Sequence, residues 1–358
     1  MHASLCLRLT LGPLAALGLG LLFAQTAPQA QTLAEPAVHR HSAPEQLFEV
    51  VKIVDGDTLH ILRDGVKEKL RLLSVDTEEK LSGNPNPSPT KPETVFGEES
   101  AAWAESWLPE HATVDGRVQV GLAFPGGNEQ RDIYGRLLCH VLLPDGTDFN
   151  VELVRLGKSP YFNKYGESLI CQEAFLNAQS GAMEQSLGIW NPATNRPANS
   201  SAPAVVRPYE RLLPWWQARA DAVTAFRQRA AKNPIRDVAA DDPTGLELAA
   251  FACDAGARVS VFGSIQRIFV EDDGDWTLLM RSGDSGRSVR GRIQAEDLEQ
   301  FDTADLKRRA TEEFCQNYLI LEGALDRGSR GFEIDLLGPE QVRPAGPEPR
   351  APLDSPQD

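Results

Sequence analysis

The chain has 358 residues, enough for two ordinary domains, and its apolar fraction of 41% and charged fraction of 24% are typical of a globular protein. Its formal net charge is -15 and its pI is about 4.9. Because sequence-independent nucleic-acid binding depends largely on Lys and Arg contacts to phosphates, this charge excludes a broad basic face that grips long duplexes.

The N-terminus predicts an export signal over residues 1–30. Arg8 precedes an apolar run, LTLGPLAALGLGLLFA, which is shorter than the roughly 20 residues that a membrane span needs. We therefore expect a periplasmic or secreted protein with no transmembrane domain after signal removal, and an uncleaved anchor is the alternative. Residues 31–46 predict a flexible leader, in which His39 and His41 could touch a metal, although such a pair in a polar tail is usually solvated.

The segment 55–79, DGDTLHILRDGVKEKLRLLSVDTEE, carries the polar residues of greatest chemical interest. It belongs to a predicted three-strand meander, with Asp64-Gly65 as the hairpin turn. The meander would bring together two sets of polar side chains from the ends of different strands. Several carboxylates beside one arginine suit an oxygen-liganded cation and a phosphate, although each set alone is an ordinary turn or strand end. The sets are Asp55, Asp57 and Thr58, and Arg71, Asp76, Thr77 and Glu79.

The following elements alternate between strands and helices. Residues 80–96 are rich in Pro and Asn and predict a long loop, either a flap over the site or a surface insertion. A five-stranded barrel with helices on its rim is the oligonucleotide-binding (OB) architecture, an α+β fold. The further strands are predicted at 117–123 and 135–143, and the helices at 97–108, 151–156 and 173–187.

Beyond residue 192 the pattern predicts a linker, a helix and a second domain. The linker covers residues 193–207. The helix covers 208–235, where Pro214 can serve as a first helical residue and an apolar stripe is expected to dock on a neighbouring domain or, alternatively, on a partner. Residues 245–343 follow the strand and helix order of a second, OB-like barrel, and residues 344–358 predict a disordered tail.

The first half of the OB-like domain has several arginines near two aromatic residues. Arginine with aromatic side chains suits a platform for single-stranded nucleic acid. The alternatives are solvated arginines around core aromatics, or a domain that binds a protein. The residues are Arg267, Arg281, Arg287, Arg290, Arg292, Phe269 and Trp276.

Four cysteines follow the N-terminal segment, two in each proposed domain. An even number of cysteines in an exported chain allows disulfides. The within-domain pairs Cys139–Cys171 and Cys253–Cys315 are the preferred choice among three connectivities. Four buried free thiols are the alternative.

Residues 47–192 resemble the staphylococcal nuclease (thermonuclease) family. The resemblance rests first on the two polar sets of segment 55–79, in their order. It continues through the stretches FGEESAAWAESWL, DIYGRLLCHVLL, FNVELVRLGKSPYF and EAFLNAQSGAMEQSLGIW. The family's OB-fold nuclease domain is therefore expected in the first half of the chain.

The resemblance implies a calcium site in the first barrel. The carboxylates of Asp57 and Asp76 and the backbone carbonyl of Thr77 would bind Ca²⁺, which accepts oxygen ligands in loose geometry. Asp55 would lie just behind these ligands.

The resemblance also implies a phosphate site beside the calcium ion. Arg71 and Arg136 would bind phosphate oxygens through paired donors, and Glu79 would act as the general base or orient the attacking water. Tyr134 and Tyr161 match positions that line the family's nucleotide pocket.

Two residues depart from the family's pattern. Glu78 stands where the family commonly has Pro, and it could compete with Glu79 for the role of the base. Ile133 replaces a basic residue before Tyr134, which is expected to weaken substrate binding more than chemistry.

The sequence therefore predicts an exported, calcium-dependent endonuclease that hydrolyses phosphodiester bonds of DNA and RNA with low sequence specificity. The alternative is a non-catalytic scaffold of two OB-type barrels that binds nucleic acid or protein. The acidic charge favours the scaffold, whereas the joint presence of both carboxylates, both arginines and Glu79 favours the enzyme.

Overall fold

Five long strands form a closed barrel in the first half of the computed structural model, which describes residues 38–81, 90–196, 205–283 and 288–346. Together with two short edge strands, they are β1 (Phe48–Ile53), β2 (Thr58–Arg63), β3 (Val66–Leu72), β4 (Thr113–Val114), β5 (Arg117–Ala123), β6 (Gln130–Arg131) and β7 (Leu137–Leu142). The sheet closes because β5 pairs with both β1 and β7, while β3 pairs in parallel with β7. This confirms the predicted OB-type barrel.

The β2–β3 hairpin has the predicted turn. Asp64 and Gly65 both have positive φ, 51° and 77°, as a two-residue hairpin loop requires. The turn fixes a register in which Thr58 lies opposite Arg71. Because side chains alternate across a strand, Leu70 and Leu72 enter the core while Arg71 faces the other side of the sheet. Arg71 therefore lies beside Thr58, which directly follows Asp57 in the chain.

Three helices pack on the first barrel at α1 (Val95–Ala112), α2 (Phe149–Arg155) and α3 (Gln172–Glu184). They correspond to the three predicted helices, with bounds that differ by several residues. Thr94 caps α1 by accepting from Gly97 N, and Asp148 caps α2 by accepting from Val151 N at 3.1 Å.

Helix α4 (Tyr209–Ala230) lies between the two sheets. It begins earlier than Pro214, which lies inside it rather than at its first turn; proline there removes one backbone hydrogen bond. The predicted docking stripe is confirmed. Trp216 packs against Phe162 of the first barrel, and Phe226 stacks on Phe262 of the second sheet with ring centroids 4.3 Å apart.

The second half is an eight-stranded sheet with two helices. The predicted order of strands and helix is present, but the sequence reading missed β8 and α5 at its start. The elements are β8 (Asp237–Ala239), α5 (Pro243–Asp254), β9 (Val259–Val270), β10 (Trp276–Arg281), β11 (Val289–Ile293), α6 (Thr303–Thr311), β12 (Leu319–Gly323), β13 (Asp326–Gly328), β14 (Gly331–Asp335) and β15 (Val342–Pro344). The long strand β9 pairs with both β10 and β12, so the sheet bends around its own core.

The surface of the second sheet gives little support to a stacking platform. Trp276 is buried in the core, whereas Phe269 is half-exposed with the Arg267 guanidinium 5.7 Å from its ring. Arg292 lies 3.6 Å from an Asp275 oxygen, and Arg290 donates to the Arg330 carbonyl. Arg290 and Arg292 therefore have polar partners within the protein, Arg281 has a buried Nε without a hydrogen-bond partner among the described residues, and Arg287 lies outside those residues.

The two predicted disulfides are wrong in this structure, where all four described cysteines are free thiols. Cys139 precedes His140 on β7, so the two side chains point to opposite faces, and Cys171 lies on the side of His140. Cys253 Sγ accepts from Leu325 N, whereas Cys315 Sγ faces Arg308. Each cysteine therefore has its own separate surroundings.

The described part of the leader is hydrogen-bonded to the first barrel domain. Arg40 forms a β-bridge with Thr147, and His41 N donates to the Gly146 carbonyl at 2.8 Å. The predicted signal peptide lies outside the described residues, as do residues 82–89 of the predicted loop, 197–204 of the predicted linker and 347–358 of the predicted tail. Among the described helices, none is long and apolar enough to cross a membrane.

Candidate active site

Arg71 joins two buried carboxylates, Asp57 and Asp76. Its Nη2 donates to Asp76 Oδ1 at 2.8 Å, and its Nη1 contacts Asp57 Oδ1. Burial alone would raise the pKa of the Asp57 carboxyl, but Arg71 and Lys91 outweigh burial and hold this pKa below its usual range. Burial acts in the opposite direction on Arg71, where the two carboxylates raise the pKa. The pair and the arginine are therefore all charged.

The second oxygen of Asp57 is held by the turn after β3. Thr77 donates to Asp57 Oδ2 from its backbone N at 2.8 Å and from its hydroxyl at 3.1 Å. Gly56 makes this contact possible, since a Cβ at that position would lie 2.6 Å from Thr77 Cγ2. These contacts bring together the two polar sets that the sequence places twenty residues apart.

Asp55 is a third carboxyl group beside the pair. Its Oδ1 accepts from Asp57 N at 3.1 Å. Burial, followed by the nearby charge of Asp57, raises its pKa to about 7. A cation bound here would stabilise the ionised form of this carboxyl.

A cavity of about 320 Å³ opens over this cluster. It gathers most of the predicted site residues, with Asp76 held behind Arg71 and Lys91. The lining residues are Asp55, Asp57, Thr58, Arg71, Thr77, Glu79, Lys91, Tyr134 and Arg136.

Arg136 enters the cavity from the start of β7. Asp132 orients it by accepting from Arg136 Nε at 2.6 Å, and the same carboxylate accepts from the backbone N of Tyr134 and of Arg136 at 2.9 Å. The guanidinium lies 5.4 Å from the ring of Tyr134, whose side chain is largely exposed. This arrangement leaves the Nη end of Arg136 oriented beside the cavity.

Glu79 lies at the rim, with 41% of its side chain exposed and Oε1 2.7 Å from Lys91 Nζ. Its backbone carbonyl accepts from Thr94 N at 3.0 Å. A Cβ at Gly97 would lie 2.1 Å from that carbonyl oxygen, so the first turn of α1 can pack there only with glycine. Helix α1 therefore fixes the position of Glu79.

Glu78 points away from the cavity into a buried network. Its carboxylate contacts the Thr94 hydroxyl and accepts from Asn195 Nδ2 at 2.8 Å and from the Tyr209 hydroxyl at 3.1 Å. With its residue only 2% exposed, Glu78 cannot reach solvent in the cavity. The structure thus assigns Glu78 to holding the turn and leaves Glu79 as the carboxylate at the rim.

Sequence reading missed two cations of the site, Lys91 and Arg207. Lys91 Nζ lies 2.8 Å from Asp76 Oδ1, and Arg207 Nη2 lies 2.8 Å from Asp76 Oδ2. Arg207 also donates to the carbonyls of Asp76 and Thr90 at 3.1 and 3.0 Å. Both cations come from irregular segments without periodicity, so no spacing signal could have identified them.

Replacing Arg207 with alanine is expected to destabilise the protein by about 3 kcal/mol, because Asp76 and two carbonyls would lose a buried partner. Thermal and denaturant unfolding of Arg207→Ala would measure this loss. The exposed Arg236 is the matched control, and Arg236→Ala should unfold like the wild type. Equal stability of the two variants would contradict the anchoring role of Arg207.

Tyr161 does not belong to the cavity. It is 2% exposed, stacks on Phe175 with centroids 4.9 Å apart and donates from its hydroxyl to Glu167 at 2.6 Å. The prediction that it contacts a nucleotide is therefore wrong for this structure, since a side chain in the core cannot meet a ligand.

The oxygen donors fit a hard divalent cation. Asp55 and Asp57 line the cavity, and Asp76 lies behind Lys91, whose ammonium would have to leave Asp76 Oδ1 for an ion to reach that oxygen. Carboxylate oxygens without nitrogen or sulfur donors favour calcium or magnesium over softer metals.

Comparisons with known proteins identify a family for this chain. The family described as "Staphylococcal nuclease homologue" matches residues 69–192. The thermonuclease of Staphylococcus hyicus is 30% identical over 150 residues, which are 42% of this chain and 79% of that protein. The thermonuclease of Staphylococcus intermedius is 32% identical over 39% of this chain and 74% of its own length. An uncharacterised endonuclease of Escherichia coli is 26% identical over 40% and 76%.

The family model covers residues 69–192, which include Arg71, Glu79 and Arg136 of the cavity. The chain belongs to the staphylococcal nuclease family.

Proposed function

We propose that this protein is an exported, calcium-dependent nuclease that hydrolyses phosphodiester bonds of DNA and RNA with little sequence preference. Nuclease activity is supported by family membership and by relatives named thermonuclease and endonuclease. The single observation that carries the proposal is the meeting of Asp57, Arg71, Glu79 and Arg136 around one cavity of about 320 Å³.

Two arginines would bind the scissile phosphate. The contacts of Arg71 to Asp57 and Asp76 hold its guanidinium rigid, and a guanidinium has five donors in a fixed fork. Arg136 faces the same cavity and is oriented by Asp132. Donors held in place before the reaction stabilise the negative charge that develops on phosphate oxygens without a reorganisation cost.

Glu79 would position the attacking water or accept its proton. Its carboxylate is at the rim and fixed at the backbone by α1, so water can reach it. The water oxygen forms a bond to phosphorus, the bond to the leaving oxygen breaks, and that oxygen takes up a proton.

Asp57 and Asp76, with the carbonyl of Thr77 and with Asp55 nearby, would hold Ca²⁺. When bound, the ion polarises the phosphate and neutralises charge that builds up on it. Lys91 lies on Asp76 Oδ1 and Glu79 Oε1, so binding of ion and substrate would release this ammonium from both carboxylates.

The acidic net charge of -15 restricts how substrate is held. At the cavity, the cations Arg71, Lys91 and Arg136 lie among the carboxylates of Asp55, Asp57 and Glu79, so only a few donors are available for phosphate. We therefore expect short, single-stranded segments to be bound locally, with weak affinity that falls as salt rises.

A digestion assay tests the proposal. Purified full-length protein should degrade single-stranded DNA and RNA in calcium, lose activity in a chelator, and recover it when calcium alone is added back. Circular dichroism in both buffers controls for unfolding. Calcium-independent cutting would overturn the metal assignment, and tight oligonucleotide binding without cutting by folded protein would favour the non-catalytic scaffold.

A further inference from the structure

Five side chains able to bind a metal lie together on the first barrel, distinct from those lining the active-site cavity. Two groups share one cysteine, and within each group the ligand atoms lie within 4.8 Å of one another. The groups are His39, His41 and Cys171, and His140, Asp148 and Cys171.

Four separate segments of the chain bring these residues together. His140 lies on β7, Asp148 caps α2, Cys171 directly precedes α3, and the histidines come from the leader. The leader is held on both sides of the bridge at Arg40, through His41 N to the Gly146 carbonyl at 2.8 Å and Asp148 N to the His39 carbonyl at 3.1 Å. The fold thus holds the cluster at its backbone.

The distances at the centre of the cluster are close to those of a coordination shell. Asp148 Oδ2 lies 2.9 Å from both His41 Nε2 and His140 Nδ1. Cys171 Sγ lies 3.7 Å from Asp148 Oδ2 and 3.9 Å from His140 Nδ1. Tetrahedral zinc, with bonds of about 2.0–2.3 Å, separates neighbouring ligand atoms by about 3.3–3.6 Å. Among His140, Asp148 and Cys171, shifts of well under an ångström would therefore admit the ion, and a leader histidine would move towards them to complete the shell.

Burial and donor type favour a metal over a simple hydrogen-bonded network. His140, Asp148 and Cys171 are buried, while the leader histidines are partly exposed and give the ion an entry side. A hydrogen-bonded network is compatible with the contacts of the cluster, since the Cys171 thiol can donate to Asp148 Oδ2 at 3.7 Å. What favours the metal is the gathering of a thiol, an imidazole and a carboxylate within 4.8 Å of one another. Imidazole and thiolate donors select zinc-class metals rather than calcium.

We propose that Cys171, His140 and Asp148, with one histidine of the leader as the fourth ligand, form a binding site for a zinc-class transition metal. Binding replaces the thiol proton of Cys171, which passes to solvent, with a sulfur–metal bond. The ion fastens the leader to β7 and to the starts of α2 and α3. The ion has a structural role, because protein donors from four segments fill its coordination shell.

Zinc titration of the chelator-treated, reduced full-length protein tests this site. We expect one tight Zn²⁺ per chain and a rise in melting temperature. Co²⁺ in place of zinc should give a thiolate-to-metal absorption band. Cys171→Ser should abolish that band and weaken zinc binding at least tenfold. The double variant His39→Ala/His41→Ala changes only the leader, so the barrel can fold, and should weaken binding similarly.

Matched controls separate this site from other cysteines, histidines and oxygen ligands. Cys253→Ser and His111→Asn change residues outside the cluster and should bind zinc like the wild type. Asp57→Asn, in the cavity proposed for calcium, should also leave zinc binding unchanged, so the two proposals can fail independently. Absence of stoichiometric zinc, absence of the thiolate band, or undiminished binding by Cys171→Ser would each overturn the site.

Discussion

Arg136→Ala is expected to lower kcat on single-stranded DNA by about 10²–10³-fold, the usual effect of removing one oriented donor from a developing anion. Arg136 lines the cavity, and Asp132 holds its Nε at 2.6 Å, so the Nη end is presented without further ordering. Truncation removes that donor pair and leaves the phosphate charge less stabilised. Steady-state kinetics at saturating calcium would measure the change.

Arg136→Ala should also lower stability by about 1–3 kcal/mol, because the buried Asp132 carboxylate loses its charged partner, so kcat is measured at a temperature where the variant is folded. Asp132 still accepts from the backbone N of Tyr134 and of Arg136 at 2.9 Å, so its buried carboxylate keeps partners. Arg136→Lys keeps the charge but loses the planar fork, and it should fall between alanine and the wild type.

The exposed Arg131 provides the matched control for Arg136. It pairs with Glu68 at 2.7 and 2.8 Å rather than facing the cavity, so Arg131→Ala should retain nearly full turnover. If Arg136→Ala kept kcat within threefold of the wild type, or if Arg131→Ala lost as much, the phosphate role of Arg136 would be refuted.

The hairpin explains how much of the site could be predicted from sequence. Asp64-Gly65 fixes the register, and strand alternation then places Arg71 next to Asp57 and away from the core. These are local rules, so a short segment was enough to predict them. Arg136 could be predicted only through the family resemblance, because its contact with the cavity depends on the pairing of β7.

The missed features depend on tertiary contacts. Lys91 and Arg207 reach Asp76 from irregular segments, one of them well beyond the first barrel. The disulfide prediction failed because an even count of cysteines contains no information about which strand face each occupies. For His39 and His41 the sequence allows a metal contact but favours solvated side chains, since it does not show that the leader bridges to Thr147.

The contacts of Arg207 and Tyr209 also show what Glu78 does at a position where the family commonly has proline. A proline would stiffen the turn by itself, whereas Glu78 ties it to Asn195 and Tyr209 from the segment that leads into α4. In this protein the second half of the chain therefore helps to hold the turn of Asp76 and Glu79. Asn195, Arg207 and Tyr209 therefore contribute to the geometry of the site through Glu78 and Asp76.

Glu79→Gln should mainly lower turnover and Glu78→Gln should mainly lower stability, although the two residues are adjacent. Glu79→Gln is expected to lower kcat by about 10²–10⁴-fold, since the amide cannot accept a proton from water. Its ion pair with Lys91 is partly exposed, so its loss should change stability by less than about 1 kcal/mol. Kinetics and unfolding measured on the same preparation would separate the two quantities.

Glu78→Gln should instead lower stability by about 1–3 kcal/mol, because one amide nitrogen would replace an acceptor among buried donors from Asn195 and Tyr209. At a temperature where this variant is fully folded, its kcat should stay much closer to that of the wild type than that of Glu79→Gln. If Glu78→Gln were the inactive and stable variant, Glu78 would be the base, and the carboxylate at the rim would have no part in activating water.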